Sequence, residues 1–281
     1  MNLKSPAKIN LFLKVVGKRP DGFHALESLF AFLDLQDDLS VEKSEKFSLE
    51  ISGEFAQLVD LENNLFTKIL DYFTQEFAVS KNLKIKVVKN IPVGGGLGGG
   101  SSNAASFMKC LNEIYALNLS KNDLQKISLN FGSDIAFFFE PCASIIKGRG
   151  EIIENFREFK PLSVLLVNPK IHLSTKEVFA KLNRNYSAEI PTKKLLETDI
   201  LELIKSLPND LEKPAIALVP VIGEILEMLK KNGAELVKMS GSGATCFGIF
   251  GDAEKLQSAQ KNIAEIFPQF FVKRAKILSH E

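Results

Sequence analysis

Six of the chain's 18 glycines fall within residues 92–102, a run reading Pro92, Val93, Gly94, Gly95, Gly96, Leu97, Gly98, Gly99, Gly100, Ser101 and Ser102. Glycines let a backbone approach a ligand closely and adopt positive φ, so that consecutive N–H groups can turn toward one anion. The flanks give the run its direction. Leu83, Ile85 and Val87 alternate with Lys84 and Lys86, the two-residue period of a strand. Beyond the run, Ala104, Phe107, Met108, Leu111, Ile114 and Tyr115 recur at helical spacing, with Ser101 or Ser102 as the expected N-cap. Strand, glycine loop and helix in that order make a phosphate-binding loop, because a helix start adds unpaired N–H groups and partial positive charge. A plain flexible linker fits poorly between two such patterned segments.

Two better-known phosphate loops fit less well. Residues 94–99 match the spacing G-x-G-x-x-G, but six glycines in seven positions satisfy it trivially, and the acidic ribose-binding residue expected after a second strand is missing. Residues 95–102 have the spacing of a Walker A loop, with Ser101 where the phosphate-binding lysine belongs. A dinucleotide-dependent oxidoreductase and a P-loop NTPase are therefore both disfavoured.

The rest of the chain reads as mixed α and β. Ile9, Leu11, Leu13 and Val15 alternate with Lys8, Asn10, Phe12 and Lys14, so Lys8 and Asn10 share a strand face. Arg19, Pro20, Asp21 and Gly22 make a turn. Strands are expected at residues 30–35 and 47–51, and helices at residues 64–77 and 123–129. The pattern changes over residues 155–161, which sets a boundary between domains 1–156 and 157–281. After it, a strand opens at Ser163, and Ile222, Ile225, Leu226 and Leu229 form a helical stripe ending at Lys230, Lys231 and Gly233. A second glycine cluster at residues 239–245 leads into a strand. The pattern suits an α+β fold with helices layered on a mostly antiparallel sheet.

With 35 basic and 34 acidic residues the formal net charge is +1, so nothing in the overall balance recruits nucleic acid or an anionic membrane. Cys110, Cys142 and Cys246 are too few and too scattered for a disulfide framework or a zinc site. No apolar run reaches the ~20 residues of a spanning helix. These features predict a cytoplasmic protein with reduced thiols.

Pro6, Ala7, Lys8, Ile9, Asn10 and Leu11, the run at residues 92–102, and Ser240, Gly241, Ser242, Gly243 and Ala244 resemble the three motifs of the GHMP kinases. With residues 19–24, Gly132, Ser133 and Asp134, and residues 209–212, the chain is similar to one branch, the 4-diphosphocytidyl-2-C-methyl-D-erythritol kinases of the non-mevalonate isoprenoid pathway. The resemblance implies a two-domain fold, with a ribosomal-S5-domain-2-like N-terminal domain and a ferredoxin-like C-terminal domain. It implies transfer of the ATP γ-phosphate to the 2-hydroxyl of 4-diphosphocytidyl-2-C-methyl-D-erythritol, by a monomer or homodimer.

Site roles follow from the same resemblance. Asp134 is the expected base and Lys8 its catalytic partner. ATP is expected to meet residues 92–102 together with Asn64 and Lys89, though Asn64 also reads as a helix cap and Lys89 as a solvated strand lysine. The acceptor substrate is expected to meet Asn10, Phe23, His24, Asp134, Thr175, Phe179, Gly241, Ser242 and Gly243. In that set Phe23 stacks on cytosine, His24 bonds the edge of the base, and Phe179 offers a second aromatic face. Magnesium is expected with ATP, reached by Ser102 or only through phosphates and water, and no carboxylate pair marks its ligands. Two positions depart from the branch: Phe23 replaces a tyrosine and keeps its stacking face, and Ala136 replaces a proline that would stiffen the backbone beside Asp134. Other GHMP kinases, acting on homoserine or mevalonate, need no cytidine site, and a catalytically silent relative needs neither Lys8 nor Asp134.

Gly98→Val places a β-branched side chain where phosphate has to approach, so it is expected to raise the KM for ATP; an unchanged KM would count against this loop geometry.

Overall fold

The N-terminal alternation becomes strand β1 (Asn2–Lys18), in which residues 5–15 are all buried, the polar Lys8, Asn10 and Lys14 among them. Alternation describes the two faces of a strand, and here both are covered, so Lys8 is 3% exposed and not a surface lysine. The predicted turn follows: Arg19 N–H donates to Phe23 O at 2.8 Å and Gly22 N–H to Arg19 O at 3.1 Å, with Gly22 at φ +87°. It leads into β2 (His24–Lys43). The computed structural model describes residues 1–182 and 186–281 and divides into two compact units. Unit 1 comprises Met1–Ala7, Leu35–Val93 and Gly98–Pro141; unit 2 comprises Lys8–Asp34, Gly94–Leu97 and Cys142–Glu281.

In unit 1, β3 (Ser48–Ser52), α1 (Leu65–Phe77), β4 (Leu83–Val88), α2 (Gly99–Ile114) and α3 (Lys121–Ser128) follow β2. β4 pairs antiparallel with β2, from Asp38 opposite Val88 to Lys43 opposite Leu83, and parallel with β3. Leu83, Ile85 and Val87 are buried, as their spacing predicts. α1 begins at Asn64, whose Oδ1 accepts from Phe66 N–H at 2.8 Å, and it buries Phe66, Ile69, Leu70 and Phe73 on one stripe. α2 starts earlier than expected. Its N-cap is Gly98 in the left-handed region (φ +68°, ψ 16°), so Ser101 and Ser102 lie in the first turn and do not cap it. Residues 102–108 of α2 are buried all round, which the small side chains Ser102, Ala104, Ala105 and Ser106 permit. The Ser106 hydroxyl is bonded to that of Ser5 at 2.9 Å. Tyr115 is the C-cap of α2 and not a helical residue.

In unit 2, the N-terminal part of β2 pairs with β5 (Ser144–Gly148), which in turn pairs with β6 (Ile152–Asn155). β7 (Leu162–Asn168) is followed by the short helices α4 (Thr175–Ala180), α5 (Thr192–Glu197), α6 (Ile200–Ser206) and α7 (Glu212–Leu218). Then come α8 (Val221–Lys231), β8 (Leu236–Met239), β9 (Cys246–Ile249), α9 (Ala253–Ile266) and β10 (Phe271–Leu278). The strands run β2, β10, β7, β9, β8, each pair antiparallel. The predicted stripe of α8 packs its Ile222, Ile225, Leu226 and Leu229 with Leu165 and Val167 of β7 and with Leu256, Ala259 and Ile263 of α9. Gly233 at φ +91° ends that helix, as its position after Lys230 and Lys231 predicts.

One buried ion pair fixes the entry to the glycine run. Asp37 of β2 is fully buried; its Oδ2 meets Lys89 Nζ, and its Oδ1 accepts from the N–H groups of Asn90 at 2.7 Å and Ile91 at 2.9 Å. Lys89 Nζ also donates to Asn103 Oδ1 of α2 at 3.0 Å. Lys89 is therefore buried, with 4% exposure, and not a solvated strand lysine. Asp37→Ala would leave the buried ammonium without its counter-charge and two N–H groups without an acceptor, so it is expected to lower stability by about 3–5 kcal/mol in urea unfolding; a loss below about 1 kcal/mol would mean that water replaces the carboxylate.

Candidate active site

The expected site residues divide between the units. Unit 1 holds Asn64, Lys89, Pro92, Val93, residues 98–102 and Asp134; unit 2 holds Lys8, Asn10, Phe23, His24, residues 94–97, Thr175, Phe179 and residues 241–243.

In unit 2, Lys8 Nζ donates to Asn10 Oδ1 at 2.6 Å and lies 4.4 Å from the centroid of the Phe30 ring. Asn10 is fixed in turn. Its Nδ2 donates to Ser28 Oγ at 2.9 Å, and Ser28 donates to Phe12 O at 2.5 Å. Asn10 N–H donates to Ser240 Oγ at 3.1 Å, and that hydroxyl donates to Gly96 O at 2.9 Å. The two glycine clusters thus meet: Thr245 N–H donates to Gly95 O at 3.1 Å, and Lys8 N–H to Leu97 O at 2.9 Å. A Cβ on Gly96 would lie 2.2 Å from Ser240 O, so only glycine fits there. Thr175, the first residue of α4, places its hydroxyl 2.9 Å from that of Ser242.

The aromatic residues form a second group in unit 2. His24 stacks on Phe179, centroids 4.9 Å apart and planes at 20°, and Tyr186 meets His24 edge-on at 6.4 Å. Phe23 is directed elsewhere. It is 55% exposed, with the Arg149 guanidinium 5.4 Å from its ring centroid. Arg149 sits on the turn between β5 and β6, beside Glu151, which pairs with Arg19 at 2.9 Å.

In unit 1, positive φ at Gly98 brings the chain into the start of α2, and a Cβ on Gly100 would meet nothing within 4 Å. Ser102 Oγ and Asn103 Nδ2 are buried there without a hydrogen-bond partner. The Lys89 ammonium lies under this turn, 3.2 Å from where a Cβ of Gly99 would be. Orphaned polar groups at a helix N-terminus fit a phosphate. Asn64 spends both ends of its amide locally, Oδ1 on Phe66 N–H and Nδ2 on Asp60 O at 3.2 Å. Asp134 lies half-buried in the turn before the 3₁₀ helix Ala136–Phe139, with Ala136 itself buried.

The chain matches the GHMP kinases N terminal domain over residues 64–140 and the GHMP kinases C terminal domain over residues 192–271. It is 38% identical to a 4-diphosphocytidyl-2-C-methyl-D-erythritol kinase of Chelativorans sp. (strain BNC1), over 96% of this chain and 93% of that protein. The chain belongs to the 4-diphosphocytidyl-2-C-methyl-D-erythritol kinase family of GHMP kinases. A crystal structure of 4-(cytidine 5'-diphospho)-2C-methyl-D-erythritol kinase is similar to it at TM-score 0.80 and 27% identity, covering 99% of both chains. An L. major mevalonate kinase in complex with R-mevalonate, at TM-score 0.72 and 16% identity over 99% of this chain and 96% of that one, shares the fold. The two-domain α+β GHMP kinase fold is thereby shown.

For a GHMP kinase of this branch, several side chains carry the site without a sequence signal. Asp37, Asn103, Ser28 and Arg149 act through contacts between segments distant in sequence, and the one advance mark is that Asp37 falls in phase with Leu35, Leu39 and Val41 of β2. Ser240 lies in a recognised motif, yet its bonds to Asn10 and Gly96 depend on tertiary packing. Under the same loop, Met239 N–H donates to Glu212 Oε2 at 2.9 Å; burial raises the Glu212 carboxyl above its usual range and lowers the Lys238 ammonium below its own. Among the described residues no group of three or more His, Cys, Asp or Glu could hold a metal ion, and no helix is long and apolar enough to cross a membrane.

Burial, with a smaller contribution from Lys18, lowers the His24 imidazole below its ordinary 6.5. The folded protein then binds fewer protons there than the unfolded chain, so this contribution to stability is complete above the unfolded value and is lost as pH falls through the folded one. An NMR titration of His24 is expected to show a midpoint below 6.5; a midpoint above it would mean that the imidazole is solvated or faces an anion.

Proposed function

We propose that this chain transfers the γ-phosphate of ATP to the 2-hydroxyl of 4-diphosphocytidyl-2-C-methyl-D-erythritol. The observation that carries the reading is the buried Lys8 ammonium, aimed by Asn10 on a strand that also locks the first glycine cluster to the second through Ser240. Phosphoryl transfer asks a protein for alignment and charge neutralisation more than for covalent chemistry. A buried lysine directed by the Asn10 amide oxygen, beside a glycine loop, meets both needs.

In the step proposed, the acceptor 2-hydroxyl attacks the γ-phosphorus, its proton passes to the Asp134 carboxylate, the bond to the β,γ-bridging oxygen breaks, and ADP leaves. Lys8 neutralises charge on the migrating phosphoryl group. The first turn of α2, with Ser102 and the Lys89 ammonium beneath it, holds the phosphates of ATP. Magnesium bound with ATP would supply further positive charge to the phosphate oxygens, and Ser102 Oγ is the side chain suited to reach it. His24, held neutral, can donate from one ring nitrogen and accept at the other, which matches the edge of cytosine. Phe179 and Phe23 supply ring faces, and Thr175 with Ser242 supplies hydroxyls beside the second glycine cluster. The two family matches fall on either side of the sequence division into domains 1–156 and 157–281, which the proposal keeps.

The test is ATP-dependent phosphorylation of 4-diphosphocytidyl-2-C-methyl-D-erythritol with magnesium, with homoserine and mevalonate as controls. Turnover of the cytidine compound alone is the expected result; turnover of a control in its place would overturn the reading. Asp134→Asn is expected to fold normally and to lose roughly 10²-fold or more in kcat, the effect of removing a general base, whereas near-wild-type turnover would remove Asp134 from that role.

A further inference from the structure

The segment Asn209, Asp210, Leu211 and Glu212 belongs to none of the roles above, yet it ties together the strand and the loop that carry them. Asn209 is buried, with 8% exposure. Its Nδ2 donates to two carbonyls, Met239 O at 2.7 Å and Gly241 O at 2.8 Å, and its Oδ1 accepts from Leu211 N–H at 3.0 Å. Both amide hydrogens are thus spent on one turn, at the two peptide oxygens that flank Ser240. The backbone of the same segment is stitched to β1: Leu13 N–H donates to Pro208 O at 3.1 Å and Asp210 N–H to Leu13 O at 2.8 Å, while Asp210 Oδ2 accepts from Val15 N–H at 2.8 Å.

These bonds close a ring. From Asn10, β1 runs three residues to Leu13, crosses to residues 208–210, passes through the Asn209 amide to Met239 and Gly241, and returns through Ser240 Oγ to the N–H of Asn10. The same Ser240 hydroxyl holds Gly96 O. A turn with glycine at Gly241 (φ +59°) and Gly243 (φ +95°) has little conformational preference of its own, so its position comes from what grips it.

We infer that Asn209 is a positioning residue for phosphoryl transfer: its carboxamide sets the second glycine cluster in register with the strand that bears Lys8 and Asn10. No other side chain of similar size can do this. An aspartate there would turn a second oxygen toward two carbonyl oxygens, and an alanine or serine would not reach them. The inference rests on the kinase reading for its catalytic consequence and on the hydrogen bonds alone for its structural one.

The experiment uses the full-length Asn209→Ser protein with two readouts. In amide hydrogen exchange, residues 240–245 are expected to exchange about tenfold faster or more, with Leu165, Leu166 and Val167 of β7 keeping their wild-type protection. Unchanged exchange at 240–245, or an equal acceleration throughout β7, would overturn the inference, the latter because it marks a general loss of stability. In the kinase assay, kcat per folded molecule is expected to fall about tenfold or more, and several-fold less when the substitution is made in a Ser240→Ala background, because the two side chains grip one turn. An unchanged kcat, or a full additive cost in the double variant, would show that Asn209 does not act through this loop. If the wild-type protein fails to phosphorylate the cytidine compound, the proposed function falls, while the exchange measurement still reads the hold of Asn209.

Discussion

Two stretches of backbone touch with no room for a side chain: a Cβ on Gly96 would lie 2.2 Å from Ser240 O. The geometry of the unit 2 site follows from this approach. Once Gly96 is there, Ser240 can bond its carbonyl and the N–H of Asn10 together, Thr245 can reach Gly95 O, and Lys8 N–H can reach Leu97 O. Those bonds draw residues 94–97 into unit 2, although the residues on either side of them, 93 and 98, belong to unit 1. The sequence of the loop is therefore under two demands. Gly100 leaves the start of α2 open, whereas Gly99 answers to Ile91, 2.9 Å from where its Cβ would be, and Gly96 to a neighbouring peptide.

Two lysines of the site are buried, and each is directed by its own neighbours. Lys89 meets the fully buried Asp37, which also takes two N–H groups from the chain entering the glycine run. Removing one partner of such a pair costs far more than the pair itself contributes, so the arrangement acts as a register mark for the loop. Lys8 is oriented by the amide oxygen of Asn10 and by the face of Phe30.

The aromatic group is arranged differently from what its residue types alone suggest. Phe23 and His24 are adjacent in sequence, yet their rings go to separate partners, Phe23 to Arg149 and His24 to Phe179 and Tyr186. Neighbouring residues at the start of a strand point to opposite sides, so sequence adjacency does not bring two rings together. The Arg149 guanidinium lies over the ring face of Phe23.

Local pattern was enough for most elements. The spacing of Leu83, Ile85 and Val87 specified β4, the stripe of Ile222, Ile225, Leu226 and Leu229 specified α8, and Gly233 marked its end, because periodicity and terminal chemistry depend on residues a few positions apart. The ordered motifs likewise declared the family. Local pattern could not place the N-cap of α2 at Gly98, bury Lys8 and Lys89, or select Asp37, Ser240 and Asn209 as the groups that hold the site. Each of these depends on a contact across many residues: 52 separate Asp37 from Lys89, and 230 separate Asn10 from Ser240. A residue's type fixes what bonds it can make. Only packing decides which peptide group lies within 3 Å to receive them.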